Sequence, residues 1–177
     1  MKGRSVALQS EHKRARAVDI TITLAVVCVA LLFTFLVWLV ALRVDDEGMA
    51  PTIRNGDVVF FNKLDYFMSA PKRGDIVAYR DGDAVHVGRV VALPGETVCA
   101  DGGNIYIDGM LLNESVYTYD LSPDIQPIVL DTAKWFIMPD DRANMCNTPQ
   151  TMIIPINRII GSAMLRVSPI DRFGIFE

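Results

Sequence analysis

One uncharged apolar run constrains this chain more than any other feature. Residues 20–42 are 23 consecutive positions without Asp, Glu, Lys or Arg, which is long enough for a helix to span the hydrocarbon core of a membrane. Polar residues do not recur in the run at the helical spacing of a soluble core helix. A cleaved signal peptide is the alternative, but the run is too long and Ala41-Leu42-Arg43 is not a small-x-small cleavage site. The run therefore predicts a retained transmembrane helix.

Charges on either side of this run predict its orientation. Residues 1–19 carry five basic side chains against two acidic ones, whereas residues 45–47 on the other flank are all acidic. By the positive-inside rule, residues 1–19 form a cytoplasmic basic tail next to the lipid bilayer, and residues 43–177 are extracytoplasmic. We therefore expect a single-pass protein of the cell membrane with a cytoplasmic N-terminus.

The part after the apolar run is acidic. Residues 43–177 carry 12 Lys and Arg against 19 Asp and Glu, a net charge of −7, which argues against nucleic acid as a partner. The three cysteines do not form a disulfide framework: Cys28 lies in the apolar run, and a bond between Cys99 and Cys146 stays open. The spacing of Cys and His indicates no metal site, and no cofactor is expected.

Short strand-type segments separated by turn signals predict a mainly β domain for residues 43–177. Asp108-Gly109 is a two-residue hairpin signal between apolar segments. Residues 97–134 are expected to form a small lobe of hairpins with an irregular excursion at 113–131. Residues 140–155 are expected to form a loop, and no amphipathic helix is indicated outside the apolar run. Strands of this length and spacing are expected to close into a barrel or a sandwich that protects their edges.

Several motifs occur in a fixed order along this domain. The first is Gly48-Met49-Ala50-Pro51-Thr52, followed by Gly56-Asp57. The others occupy residues 71–77, 89–96, 105–109, 140–142 and 160–163. Their order resembles the boxes of type I signal peptidases, membrane-anchored serine endopeptidases that cleave signal peptides from preproteins. The resemblance covers almost the whole domain and implies a signal-peptidase-like β ectodomain behind one N-terminal transmembrane helix.

The same resemblance indicates what this sequence lacks. The family cleaves with a serine nucleophile and a neutral lysine as general base, and these positions correspond to Gly48 and Gly88. The position of a serine that supports the lysine holds Met145, and a nearby acidic position holds Asn147. Because several members of one constellation are replaced, the resemblance implies a catalytically inactive homologue.

The remaining residues of the frame are assigned roles from the resemblance. Substrate-binding residues are expected at Met49, Pro51, His86 and Val87, with core packing as the alternative for Met49. Structural residues near the site are expected at Asp57, Arg89, Asp140 and Arg142.

Five side chains of the neighbourhood carry further interpretations. Asp140 and Arg142 are expected to form an ion pair or a backbone brace. His86 lies two residues before Gly88, so both face the same side of a strand, and His86 is an alternative base. Asp45 and Asp46 are interpreted as a solvated acidic collar.

Three functions follow as hypotheses. The family groove binds an extended segment by strand addition, and degenerate members accompany pilin and sortase genes in Gram-positive bacteria. The resemblance therefore implies a non-catalytic chaperone or scaffold for secreted proteins such as pilus subunits, with a pilin-type polypeptide and a sortase as partners. The second hypothesis is an active signal peptidase with a different nucleophile. The third is an interaction module that binds through residues 113–131.

Overall fold

The computed structural model of the chain describes residues 19–34, 38–113, 124–142 and 149–176, except the side chain of Met68. The chain divides into two units, Met1–Trp38 and Leu39–Glu177. Met145, Cys146 and Asn147 lie outside the described residues, as does the basic tail at 1–18. The predictions that rest on them, including a bond between Cys99 and Cys146, stay predictions.

The described part of the first unit is a helix, α1 (19–34). The hydroxyls of Thr23 and Thr34 donate to the carbonyl oxygens of Asp19 and Ala30, each at 2.8 Å, one helical turn earlier. Its large apolar side chains are exposed. Among the helices of the described residues, none combines the length and the apolar character that a membrane crossing needs. For residues 20–38 of the predicted span, the transmembrane helix stays a prediction.

The second unit begins with a strand, β1 (Leu39–Arg43). The sequence predicted a helix as far as Leu42, so that prediction is wrong for its last four residues. β1 pairs antiparallel with β2 (Val58–Asn62), with Ala41 opposite Phe60. The sheet supplies the hydrogen bonds that a helix would otherwise have given this backbone.

The second unit is mainly β, as predicted, and its larger sheet has the order β1-β2-β11-β3-β4-β9-β10 with β12 beside β11. The remaining strands of this sheet are β3 (Ile76–Asp81), β4 (Ala84–Ala92), β9 (Lys134–Met138), β10 (Ile153–Pro155), β11 (Ile159–Ser168) and β12 (Gly174–Ile175). A single-turn helix, α2 (Asp65–Met68), follows β2, and 3-10 turns occur at Pro149–Met152, Ile156–Arg158 and Ile170–Arg172. The strand β10 lies in a stretch that the sequence predicted as a loop.

A smaller sheet with the order β7-β6-β5-β8 forms the predicted lobe. Its strands are β5 (Thr97–Asp101), β6 (Asn104–Ile107), β7 (Met110–Leu111) and β8 (Ile125–Val129). Asp108 and Gly109 both have positive φ, 50° and 79°, so the hairpin that this dipeptide predicts is confirmed. The prediction of an irregular stretch at 113–131 is wrong for β8. Pro127 is compatible with this strand because β8 lies at the edge of the sheet.

The core beneath the loop between β1 and β2 positions the candidate site. Met49 and Ile53 in this loop are fully buried, and they pack with Val59 and Phe61 of β2. A second cluster on β3, β4 and β9 includes Tyr79 and Ile137. Burial of this apolar surface fixes both the loop and the central strands.

Candidate functional site

The loop that carries Gly48 is a closed turn between β1 and β2. Its ends are tied by hydrogen bonds from the Val44 amide to the Asp57 carbonyl at 2.9 Å and from the Gly56 amide to the Val44 carbonyl at 2.7 Å. The Gly48 amide donates to Asp46 Oδ1 at 3.0 Å, and its carbonyl accepts from the Asp141 amide at 2.9 Å. Both polar groups of Gly48 are therefore occupied within the protein.

Space for a side chain remains at Gly48. A β-carbon built on this residue would lie 3.4 Å from Asp46 Oδ1 and 3.5 Å from Pro139 Cβ, which are ordinary van der Waals contacts. The residue is half-buried. A serine would therefore fit at the predicted nucleophile position.

Gly88 lies in a different environment, in the middle of β4 opposite Val77 of β3. A β-carbon there would lie 2.6 Å from Ile137 Cγ2, 3.2 Å from the Met138 carbonyl oxygen and 3.4 Å from Tyr79 Cε1. Ile137 is 1% exposed, so its methyl group cannot move towards solvent. The space beside the predicted general-base position is therefore filled by a neighbouring side chain.

A buried ion pair connects the two regions. The carboxylate of Asp140, which is 0% exposed, accepts from Arg89 Nε at 2.9 Å and from Arg89 Nη2 at 2.6 Å. It also accepts from Thr52 Oγ1 at 2.6 Å. Asp140 is therefore paired with Arg89, because the register of β4 and β9 brings Arg89 opposite Met138. Arg142, two residues after Asp140, is also buried.

A second buried carboxylate holds the other end of the loop. Asp57 accepts from the Arg54 amide at 3.0 Å and from Arg172 Nη1 at 3.0 and 3.1 Å. Arg166 Nη1 donates to the Thr52 carbonyl at 2.7 Å, and Arg172 Nη2 donates to the Pro51 carbonyl at 3.1 Å. Charge-assisted bonds of this kind fix the loop conformation that presents Gly48.

A cleft of about 200 Å³ lies beside the loop, between the end of β1 and the first half of β4. Its lining residues are Leu42, Arg43, Val44, Asp45, Asp46, Val85, His86 and Val87. β4 pairs with β3 along one edge and with β9 along the other, but β9 begins to pair only at Arg89. Within the described residues, the second edge of β4 therefore has no strand partner at residues 84–88. The cleft thus exposes a strand edge.

Two of the four predicted substrate-binding residues lie at this cleft. His86 and Val87 line it, and their role stays a prediction. Met49 is fully buried in the core, so the alternative of core packing is correct for it. Pro51 is exposed and does not line the cleft, and its carbonyl accepts from Arg172 Nη2.

The aromatic ring of Tyr79 lies beside Gly88 and His86. Its centroid is 5.8 Å from that of the His86 ring, and it is 8% exposed. Burial and, to a smaller extent, the carboxylates of Asp81 and Asp46 together raise the pKa of Tyr79 from 10.0 to about 12. The field of Asp46 therefore reaches the side of the site on which Gly88 lies.

The sequence reasoning missed two residues of this arrangement. It treated Asp46 as part of a solvated collar, although an Asp two residues before an amide commonly accepts its hydrogen bond. It did not consider Ile137, whose contact with Gly88 depends on the register between β4 and β9 and leaves no signal in the sequence.

Among the described residues, positions 48 and 88 do not carry the groups that acyl transfer requires. A nucleophile, a base and a free amide donor for the oxyanion have to meet at one point. Here Gly48 has no hydroxyl, Gly88 has no amine, and the Gly48 amide is bound to a carboxylate. The hydroxyl of Thr52 is bound to Asp140. The described part of the site offers a cleft with an open strand edge.

Comparison with known proteins agrees with this frame. The family model "Signal peptidase, peptidase S26" matches residues 16–168. A signal peptidase I of Leptolyngbya laminosa is 31% identical over 143 residues, which are 74% of this chain and 70% of the relative. A probable signal peptidase I-2 of Synechocystis is 25% identical over 140 residues, and this chain spans only 64% of its length.

One group of relatives carries a different name. A Staphylococcus aureus protein named inactive signal peptidase IA is 25% identical over 164 residues, which are 88% of this chain and 93% of the relative. The family match covers most of the domain that contains Gly48, Gly88 and Asp140. This chain therefore belongs to the signal peptidase I family, peptidase S26.

Proposed function

We propose that this protein is a signal peptidase homologue that binds an extended segment of a secreted protein and does not cleave it. The observation that carries the proposal is the pair of glycines at positions 48 and 88, together with the Ile137 methyl group that fills the space beside Gly88. Loss of catalytic residues that act as a unit reduces turnover by up to roughly a million-fold. The remaining frame is too weak to replace them.

The cleft between β1 and β4 is the binding site in this proposal. An extended peptide adds to an exposed strand edge through main-chain hydrogen bonds, and side-chain pockets provide specificity. The edge at residues 84–88 supplies such hydrogen bonds, and His86 and Val87 line the adjacent cleft. The size of about 200 Å³ suits small side chains.

The cellular role belongs to the same proposal. The apolar run at residues 20–42 supports a membrane-anchored protein whose second unit is extracytoplasmic. A chaperone or scaffold role in pilus assembly, with a pilin-type polypeptide and a sortase as partners, follows from the resemblance to degenerate members of the family. The relatives named inactive signal peptidase IA support a non-catalytic role.

An active signal peptidase is the second candidate. It is favoured by the relatives named signal peptidase I and by the position of His86 at the cleft, where a base would be needed. It requires a nucleophile other than residue 48, and the Thr52 hydroxyl is engaged with Asp140.

A cleavage assay separates the two candidates. A preprotein with a small-x-small site is incubated with the full chain in detergent, and with the triple variant Gly48→Ser, Gly88→Lys and Ile137→Ala. We expect no product from the parent, and product from the variant because Ile137→Ala makes room for the lysine. Cleavage by the parent would establish the second candidate and overturn the first.

Binding is measured separately, with a labelled signal peptide and fluorescence anisotropy. We expect the parent to bind, and Val85→Glu to weaken binding by about tenfold or more because it places a charge in the cleft. Val129→Glu is the matched control, since Val129 is an exposed strand valine of the smaller sheet. A parent that does not bind, or equal losses in both variants, would contradict a holding function at this cleft.

A further inference from the structure

A second cavity, of about 470 Å³, shares no lining residue with the cleft and is lined by three basic side chains. Lys63 follows β2, Arg80 lies near the end of β3, and Arg158 ends a 3-10 turn before β11. Gly82 of the β3–β4 turn and Ile159 and Ile160 complete much of the wall. Among the described residues that line this cavity none is acidic, although the domain carries a net charge of −7.

The sheet register forces two of these cations together. Ile159 of β11 pairs with Tyr79 of β3, so Arg158 and Arg80, which flank this pair in antiparallel strands, lie next to each other. Like charges that oppose each other across two strands are destabilising. Their repulsion is reduced when an anion lies between them.

A close approach of two strands brings the third cation to the same place. A β-carbon on Gly161 would lie 2.4 Å from the Asn62 carbonyl oxygen and 3.1 Å from the Lys63 amide nitrogen. Since glycine lacks that atom, the exit of β2 runs directly against β11. Lys63 is therefore held beside the start of β11, where Arg158 lies.

Internal carboxylates neutralise this cluster only in part. Arg158 Nη1 lies 3.3 Å from Asp81 Oδ1, and both side chains are about half exposed. Within the described ranges, no carboxylate makes a salt bridge to Lys63 or Arg80. One carboxylate against three cations leaves an excess positive charge in the cavity.

We propose that this cavity binds a phosphate ester group. Arginine presents planar donors that match phosphate oxygens, and lysine adds a compact charge. Two arginines and a lysine together offer more donors than a carboxylate can accept. The partly buried Ile159 and Ile160 provide an apolar wall for the carbon skeleton of the ester. The ligand is either a soluble phosphate ester or the headgroup of an anionic phospholipid.

The experiment titrates the full chain in zwitterionic detergent with sn-glycerol 3-phosphate while the backbone amide of Gly82 is followed by NMR. We expect saturable shifts at Gly82 that weaken with added salt. The double variant Arg80→Gln and Arg158→Gln is expected to weaken binding by about tenfold or more. Lys63→Gln is expected to act in the same direction, so the test does not depend on one variant.

The control removes the same charge elsewhere. Lys72→Gln with Lys134→Gln takes two cations from other surfaces and is expected to keep the parent affinity. Absence of binding by the parent, or an equal loss in the control, would overturn the proposal. A parallel titration with dihexanoyl phosphatidylglycerol, against dihexanoyl phosphatidylcholine, identifies the source: tighter binding than glycerol 3-phosphate indicates a lipid headgroup, and equal binding indicates a soluble ester.

Discussion

Positions 48 and 88, which motif order assigns as the nucleophile and general-base positions of the family, both hold glycine, but their surroundings differ. At Gly48 a β-carbon would make ordinary contacts at 3.4 and 3.5 Å, whereas at Gly88 it would lie 2.6 Å from Ile137 Cγ2. Position 48 has room for a side chain, which makes it the open position. Position 88 has no such room because Ile137 fills the space beside it, which makes it the closed position.

The difference follows from the location of the two residues. Gly48 lies in a half-buried turn that is held by hydrogen bonds to Asp46 and Asp141, so no packing depends on a side chain there. Gly88 is buried between β3 and β9, where an empty volume costs stability and neighbours close over it. A single substitution can therefore restore a serine, whereas a lysine needs a compensating change.

The largest expected effect concerns Asp140, which holds the two regions together. Asp140→Ala leaves Arg89 buried without its carboxylate and frees Thr52, and we expect a loss of about 3–5 kcal/mol in the free energy of unfolding. Chemical denaturation followed by the fluorescence of the buried Trp135 measures it.

Asp131→Ala is the control for this prediction. Asp131 pairs with Lys134 at 2.6 Å on the exposed surface, so its removal is expected to leave the unfolding midpoint unchanged. Similar midpoints for Asp140→Ala and Asp131→Ala would mean that Asp140 does not brace the site.

The second prediction tests the comparison directly with two alanine substitutions. Gly88→Ala forces a methyl group against Ile137 Cγ2 and is expected to lower the free energy of unfolding by about 1–3 kcal/mol. Gly48→Ala has room and is expected to change it by less than about 0.5 kcal/mol. Equal effects of the two substitutions would remove the distinction between an open and a closed position.

A double-mutant cycle identifies the cause. Ile137→Ala removes the Cγ2 methyl group and should relieve the strain of Gly88→Ala, with a coupling of about 0.5–3 kcal/mol. Ile137→Val retains a methyl group at that place and should not relieve it. Relief by both variants, or by neither, would show that another contact opposes a side chain at residue 88.

The same contrast explains how far the sequence could lead. Motif order was sufficient for the mainly β fold, the family and the two glycines, because each is a local pattern. The pairing of Arg89 with Asp140 joins residues 51 positions apart, and the closure at Gly88 depends on three strands in register. Neither has a local signal. β1 was taken for helix because an apolar run of that length is compatible with both structures, and only its partner β2 decides between them.

The smallest expected effect tests whether the two positions face one space. Tyr79 Cε1 lies 3.4 Å from the β-carbon position of Gly88, and Asp46 Oδ1 lies 3.4 Å from that of Gly48. Because burial, Asp81 and Asp46 raise the pKa of Tyr79 to about 12, this tyrosine contributes stability that is present below pH 10 and is lost as the pH rises from 10 to 12.

Asp46→Asn keeps the acceptor oxygen for the Gly48 amide and removes the charge. We expect it to lower the pKa of Tyr79 slightly. We expect Asp81→Asn to lower this pKa more, since the carboxylate of Asp81 has the larger electrostatic effect on Tyr79. The titration of Tyr79 is identified as the part of the phenolate absorbance that Tyr79→Phe removes. Asp45→Asn is the control, because Asp45 lines the same cleft as Asp46. If Asp45→Asn and Asp46→Asn shift the titration equally, Tyr79 responds to the general charge of the loop. A shift from Asp46→Asn without one from Asp45→Asn means that the carboxylate beside the β-carbon position of Gly48 acts on the ring that contacts the β-carbon position of Gly88.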